Sequence, residues 1–191
     1  MKDLVNPENE IRDGYFISHE MKKVWNIQLD MFQKLIDVCK QYNLRIWCDG
    51  GTLLGAIRHH GYIPWDDDID LCMPRPDYDR LQEISPKVFR EPYFFLTAKT
   101  DKHYYRGHAQ LRRSDTAAIR PSDSYRPFNQ GIFIDIFAFF LTLSTADFGT
   151  TLSLLIASAA NISTSNIISN IIIFIIMNLY LAWKSYLFII Y

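Results

Sequence analysis

Between residues 18 and 42 the apolar side chains recur three and four apart, at Met21, Val24, Trp25, Leu29, Phe32, Leu35, Ile36 and Cys39. That period lines them along one face of a helix. Ser18 stands where an N-cap is needed, Lys40 suits the negative end of the helix dipole, and Asn43 ends the pattern. The spacing predicts an amphipathic helix over residues 18–42, with its Trp and Met in the core rather than lining a ligand site.

The period then changes. LRIWCDGG (44–51) reads as a short strand running into a glycine turn, and TLLGAIRHH (52–60) resumes helical spacing through Leu53, Leu54 and Ile57. DIDLCM (68–73) alternates, sending Asp68 and Asp70 to one face and Ile69 and Leu71 to the other, until Pro74 and Pro76 close the strand. A further helix is expected to begin at Asp77 and stop at Pro86. Alternation returns in PYFFLTA (92–98), HYYRGHAQLRR (103–113) and GIFIDIF (131–137). Strands interleaved with helices predict an α/β domain over residues 1–137, a mixed sheet flanked by helices.

Past that point the pattern is different in kind. No charged residue occurs from 148 to 183, and the segment is rich in Ile, Ser and Asn. A charge-free run longer than the ~20 residues that cross a bilayer predicts a hydrophobic helical tail over residues 138–191, with a membrane segment within 167–183. Its Asn and Ser content keeps two other readings open: a buried or interfacial helix pair, and a tail foreign to the domain.

Composition adds little to this division. Across 191 residues 49% are apolar and 21% charged, with a formal net charge of -1, which argues against a disordered chain and gives no electrostatic reason to expect a nucleic-acid partner. Cys39, Cys48 and Cys72 have no zinc-site spacing, and the chain opens MKDLVNPENE without an apolar signal segment. They are expected to be small buried thiols in a reducing cytoplasm, at the cytoplasmic face of a membrane if the tail inserts.

The chemistry concentrates in GYIPWDDDIDL (61–71). Asp66, Asp67, Asp68 and Asp70 crowd together there, and like charges so close are unfavourable unless exposed, protonated or neutralised by a cation. A solvated acidic turn does not require the half-buried alternation D-I-D-L or the apolar flanks IPW and LCM, so metal binding is the leading expectation. An EF-hand loop fails by position, with Leu71 where the sharp turn needs glycine and Asp77 where a bidentate Glu is needed. A nucleotide-sugar glycosyltransferase with a D-x-D metal site at Asp68 and Asp70 stays open. So does polymerase-type chemistry, in which two aspartates on one strand face meet a third on a neighbouring strand beside a glycine turn that approaches phosphate. Gly50, Gly51 and Thr52 supply the turn, and Asp135, the lone charge in F-I-D-I-F, supplies the third carboxylate.

WCDGGTLLGAIRHHGYIPWDDDIDLCMPRPDYDRL closely resembles the LicD family, bacterial phosphocholine transferases of the nucleotidyltransferase fold that are related to the fukutin-type transferases. The likeness extends upstream through IRDGYFISHEMKKVW and downstream through AQLRRSDT to GIFIDIF, covering residues 10–137. It implies Mg2+-dependent transfer of a phospho-alcohol, typically phosphocholine from a CDP-choline-like donor, to a hydroxyl of a cell-surface glycan of the lipopolysaccharide or teichoic acid type. On the resemblance Asp68 and Asp70 ligate the metal, Asp66 assists, and Asp135 is a further ligand or the general base. Gly50, Gly51 and Thr52 line the donor phosphates, with Arg58 and Arg112 as candidate phosphate contacts. Arg58 reads equally as a surface cation, His59 and His60 as polar surface, and Trp65 as a stacking platform or as packing. The family's proline and polar stretch after the FIDIF strand is replaced here by AFFLTLSTADFG, so an inactive membrane-associated remnant is the reading set against an enzyme.

Overall fold

A computed structural model describes residues 3–139, which belong to one compact unit ending at Phe139. The tail expected at 138–191, and the membrane segment within it, lie outside the described residues apart from Ala138 and Phe139. Among the described residues no helix is long and apolar enough to cross a membrane.

The elements run β1 (Glu10–Arg12), β2 (Tyr15–Ile17), α1 (His19–Tyr42), β3 (Trp47–Cys48), α2 (Gly50–Arg58), β4 (Asp70–Pro74), α3 (Arg75–Val88), β5 (Tyr93–Leu96), β6 (Ala109–Arg113) and β7 (Ile132–Phe139), with a single 3-10 turn at Pro121–Asp123. Strands β3 to β7 form one mixed sheet in the order β3-β4-β7-β6-β5, in which β4 and β7 run parallel and every other pair antiparallel. Each segment expected to be a strand from its alternation contributes one of these five.

Helix α1 forms as its pattern predicts. The Ser18 hydroxyl accepts from the Met21 N–H at 3.2 Å, and Asn43 enters the left-handed region (φ 53°, ψ 47°), letting the Leu44 N–H return to the Cys39 carbonyl at 2.9 Å. Helix α3 departs from expectation at both ends. It starts at Arg75, because proline in a first turn loses no helical hydrogen bond, and it passes through Pro86. The carbonyl that Pro86 cannot serve, that of Gln82, accepts instead from the Ser85 hydroxyl at 2.9 Å.

Alternation along the central strands gives the sheet two unlike faces. Leu71, Met73, Ala109, Leu111, Ile134 and Ile136 pack in one cluster with Met31 and Leu35 of α1 and with Leu81 and Ile84 of α3. Full burial of each large side chain stabilises the fold by about 1.5–3 kcal/mol. The opposite face carries Asp70, Asp135, Gln110 and Arg112. The apolar face thus anchors the strands, and the polar face is where the acidic residues gather.

The β1–β2 hairpin turns at Asp13 and Gly14, both with positive φ (51° and 75°), as a two-residue hairpin turn requires. Glu10 ties it to α1: Arg12 at 2.7 Å and the buried Lys22 at 2.6 Å hold its carboxyl down to about 2.

Candidate active site

The register of β4 against β7 sets Asp70 directly beside Asp135. Like charges in that position destabilise a sheet. Asp68, expected inside the strand but lying two residues before the start of β4 at Asp70, joins them, and one carboxylate oxygen from each of Asp68, Asp70 and Asp135 lies within 4.8 Å of the others. Asp66, Asp67 and Asp68 form a second such group along the turn, in which Asp67 is the exposed member. Ile69 and Leu71 are buried between these acids, as the alternation requires.

Two devices hold the acidic turn in place. From α1, the Trp25 indole N–H donates to the Asp66 carbonyl at 3.0 Å and the Gln28 amide to the Asp67 carbonyl at 2.8 Å; Tyr62 stacks on Trp25 and donates its hydroxyl to Gln28. The turn's backbone is drawn toward the helix. From the other side comes the start of α2, which lies at Gly50 rather than after a separate glycine turn. Asp49 accepts the Gly50 N–H at 2.9 Å, and Thr52 accepts the Asp70 N–H at 2.8 Å, fixing the first residue of β4. Gly50 adopts a φ of 49°, and a Cβ there would stand 3.0 Å from an Asp70 carboxylate oxygen. A Cβ on Gly51 would overlap the Asp66 carboxylate. Only glycine lets the positive end of α2 approach the acids so closely.

The carboxylates titrate as a crowded set. Burial, then the charges of Asp66, Asp67 and Asp135, pushes Asp68 up to about 6, with Arg120 pulling the other way. Burial, then Asp68 and Asp135, pushes Asp70 up to about 7, and burial raises Asp66 as well. At separations of 4.8 Å or less an ionised pair repels by roughly 1 kcal/mol at the dielectric of water and by roughly 3 kcal/mol at that of a protein surface. Against a total stability of about 5–15 kcal/mol that is a large penalty to carry without a cation. The donor set is all carboxylate oxygen, the preference of Mg2+, Mn2+ and Ca2+. Burial holds the neighbouring Cys48 and Cys72 thiols up at about 11 and about 12, so they offer no thiolate. These residues fit a hard divalent cation.

A pH dependence follows. In the metal-free protein Asp68 and Asp70 keep their protons to a higher pH folded than unfolded, so unfolding releases protons between about pH 4 and about pH 7 and stability falls as pH rises through that window. Measured in EDTA from pH 5 to 7.5, the melting temperature of wild type is expected to fall relative to that of Asp70→Asn. Parallel curves for the two proteins would show that Asp70 does not titrate in this way.

Residues 43–153 match the family described as LicD/FKTN/FKRP, nucleotidyltransferase domain. The chain belongs to the LicD family. It is 43% identical over 79 residues to the lipopolysaccharide cholinephosphotransferase LicD of Haemophilus influenzae, an alignment covering 41% of this chain and 29% of that protein. It is 37% identical over 78 residues to an uncharacterized protein of Rickettsia prowazekii, covering 37% of this chain and 29% of that one. With the human ribitol 5-phosphate transferase FKRP it shares 38% identity over 50 residues, which is 26% of this chain and 10% of the human protein. The chain thus spans less than a third of the length of these relatives. Membership places the D-x-D pair in a nucleotidyltransferase domain rather than in a sugar-nucleotide glycosyltransferase.

The remaining candidates fall in different places around the LicD carboxylates. Arg112 is 2% exposed and spends its N–H groups on Gln110 and on the Gly131 carbonyl. Arg58 is exposed at the end of α2 and donates to His59, which in turn donates to Asp13 at 2.9 Å. Trp65 is 55% exposed, with the rings of Tyr15 and His59 edge-on at 6.0 and 5.8 Å. Arg120 was not distinguished by the sequence pattern. Its guanidinium lies over the Phe133 ring at 4.8 Å and bears on Asp68 from the loop before β7. Nor were Trp25 and Gln28, whose helical spacing reads as core. Gln110 of β6 and His108 just before it have a signal in the sequence: they alternate with Arg112 on the side that meets Asp135.

Proposed function

We propose that this LicD chain transfers a phospho-alcohol, such as phosphocholine, from a CDP-activated donor to a hydroxyl of a cell-surface glycan, with Mg2+ as cofactor. The observation that carries the reading is the meeting of Asp68, Asp70 and Asp135 beside the glycine start of α2. Two relatives support the substrate class, since their names describe transfer of a phosphorylated alcohol, phosphocholine in one and ribitol 5-phosphate in the other.

Asp68, Asp70 and Asp135 would hold the Mg2+, with Asp66 in support. Bound there, the metal supplies charge neutralisation at the donor phosphates. With the Gly50 N–H held by Asp49, the N-terminus of α2 would present the Gly51 and Thr52 N–H groups and its positive dipole end to a phosphate oxygen, and the Thr52 hydroxyl, which accepts from Asp70, keeps its own proton to donate. Arg120 provides a guanidinium on the Asp68 side. In the transfer the acceptor oxygen bonds to phosphorus, the bond to the CMP oxygen breaks, and the hydroxyl proton passes to the carboxylate set.

The test is CMP release. Purified full-length protein with Mg2+ and a bacterial cell-surface glycan is expected to release CMP from CDP-choline or CDP-ribitol only when the glycan is present. Folded protein that releases none from either donor across lipopolysaccharide and teichoic acid acceptors would overturn the assignment.

A further inference from the structure

Behind Asp135 the polar face of the sheet continues into a chain of buried groups. Gln110 is 0% exposed, Arg112 2% and Asp135 6%. Arg112 donates through Nε and Nη2 to the Gln110 side-chain oxygen at 3.0 and 2.6 Å, and through Nη1 to the Gly131 carbonyl at 2.7 Å. Gln110 then donates through Nε2 to Asp135 Oδ1 at 2.6 Å. Direction is dictated by chemistry. A guanidinium has no acceptor, so the Gln110 carbonyl must face Arg112 and its NH2 must face Asp135. A flipped amide would set donor against donor at one end and acceptor against acceptor at the other.

His108 completes the arrangement. Its Nε2 lies 3.0 Å from the same Oδ1, with the imidazole against the Phe137 ring at 4.5 Å. Among the described residues Oδ1 receives both hydrogen bonds to the Asp135 side chain, which leaves Oδ2 as the oxygen with uncommitted lone pairs. Packing locks the far end of the chain, since the Arg112 guanidinium lies over Phe133 at 4.7 Å and over Phe128 at 5.4 Å. Sheet register keeps the links aligned, with Gln110 opposite Asp135 and Arg112 opposite Phe133.

A buried polar chain of this kind is a poor device for stability alone. Apolar side chains of the same volume serve a core as well or better. We propose that Gln110 and Arg112 are positioning residues that fix the plane of the Asp135 carboxylate and present Oδ2 to the divalent cation. The proposal rests on reading Asp68, Asp70 and Asp135 as a metal site. It gives Arg112 a role at the metal carboxylate rather than at the donor phosphates.

The experiment is Mn2+ binding to the full chain without substrates, followed by the free-ion paramagnetic resonance signal, alongside thermal melting. Wild type is expected to bind Mn2+, and Gln110→Leu to bind about 10-fold or more weakly, the usual scale for losing a group that orients a metal ligand. Arg112→Lys keeps a charge but not the fork that turns Gln110, so it too is expected to weaken Mn2+ binding while leaving the core filled. Raising Mg2+ should restore part of the transfer rate in both variants. If folded Gln110→Leu binds Mn2+ as tightly as wild type, the positioning role is wrong and the metal reading stands; if Gln110→Leu does not fold, unchanged binding by Arg112→Lys overturns the positioning role in its place. A wild-type chain that binds no Mn2+ removes the metal reading, and the positioning role with it.

Discussion

Asp70→Asn is expected to lower the transfer rate by about 10³-fold or more while raising the melting temperature of the metal-free protein at pH 7.5 by about 3 °C or more. The two effects have one origin. Asp70 sits in register with Asp135, and its carboxyl is pushed up to about 7 by burial and by its acidic neighbours. Taken whole, that displacement from the ordinary value corresponds to roughly 4 kcal/mol. Partial exposure reduces it to about 1–2 kcal/mol of strain in the ionised, metal-free state. Asparagine removes the repelling charge and, with it, a hard anionic ligand. Asp67→Asn is expected to stay near wild type in both respects, because Asp67 is exposed and stands outside the Asp68–Asp70–Asp135 group. Transfer assays and melting curves in EDTA on the two variants decide the matter. Equal losses of activity, with both proteins folded, would end the division between the two aspartates.

Gly131→Ala should damage the fold more than alanine at any other glycine of the described residues. A Cβ there would run into the Arg113 carbonyl oxygen and stand 2.7 Å from its carbon. That carbonyl has no freedom to retreat, since it accepts from the Thr116 hydroxyl at 2.6 Å and Arg113 is in register with Ile132 across the sheet. Overpacking against a fixed backbone costs about 3 kcal/mol or more, enough to lower the melting point by roughly 10 °C or to leave the chain insoluble. Gly131 also offers the carbonyl that holds Arg112, so the disturbance reaches the buried chain behind Asp135. Gly107→Ala is the matched control, because nothing lies within 4 Å of a Cβ built there. A Gly131→Ala protein melting within about 1 °C of wild type would show that the strand end can move.

The sequence announces its main elements because each has a period that tertiary contacts then reinforce. Helix α1 is legible from Met21 to Cys39, and the strand around Asp135 from a lone charge among Ile and Phe. The β1–β2 hairpin is absent from the sequence reading, although Asp13-Gly14, which takes positive φ at both turn positions, is the signal that marks it. Asp135 is expected to join Asp68 and Asp70 from a neighbouring strand, but the order, direction and register of the strands that bring them together cannot be read. That Asp70 lies beside Asp135 depends on β4 and β7 running parallel, a register set by Leu71, Met73, Ile134 and Ile136 packing on the same helices. Pro86 misleads for a local reason, since a neighbouring serine answers the carbonyl that proline abandons. Arg112 looks like a phosphate-binding cation because nothing in AQLRR says that its partners, Gln110 and a glycine carbonyl, lie inside.

The hold of α1 on the acidic turn bears on where the functional unit begins. Trp25 and Gln28 grip the Asp66 and Asp67 carbonyls, yet both precede Asn43, where the match to the family starts. A fragment excised at that boundary would keep Asp66, Asp68, Asp70 and Asp135 and lose the brace that aims them. Expressed alone, it would hold the acidic cluster without the contacts that shape it, so the folded module has to be drawn to include the helix ahead of it.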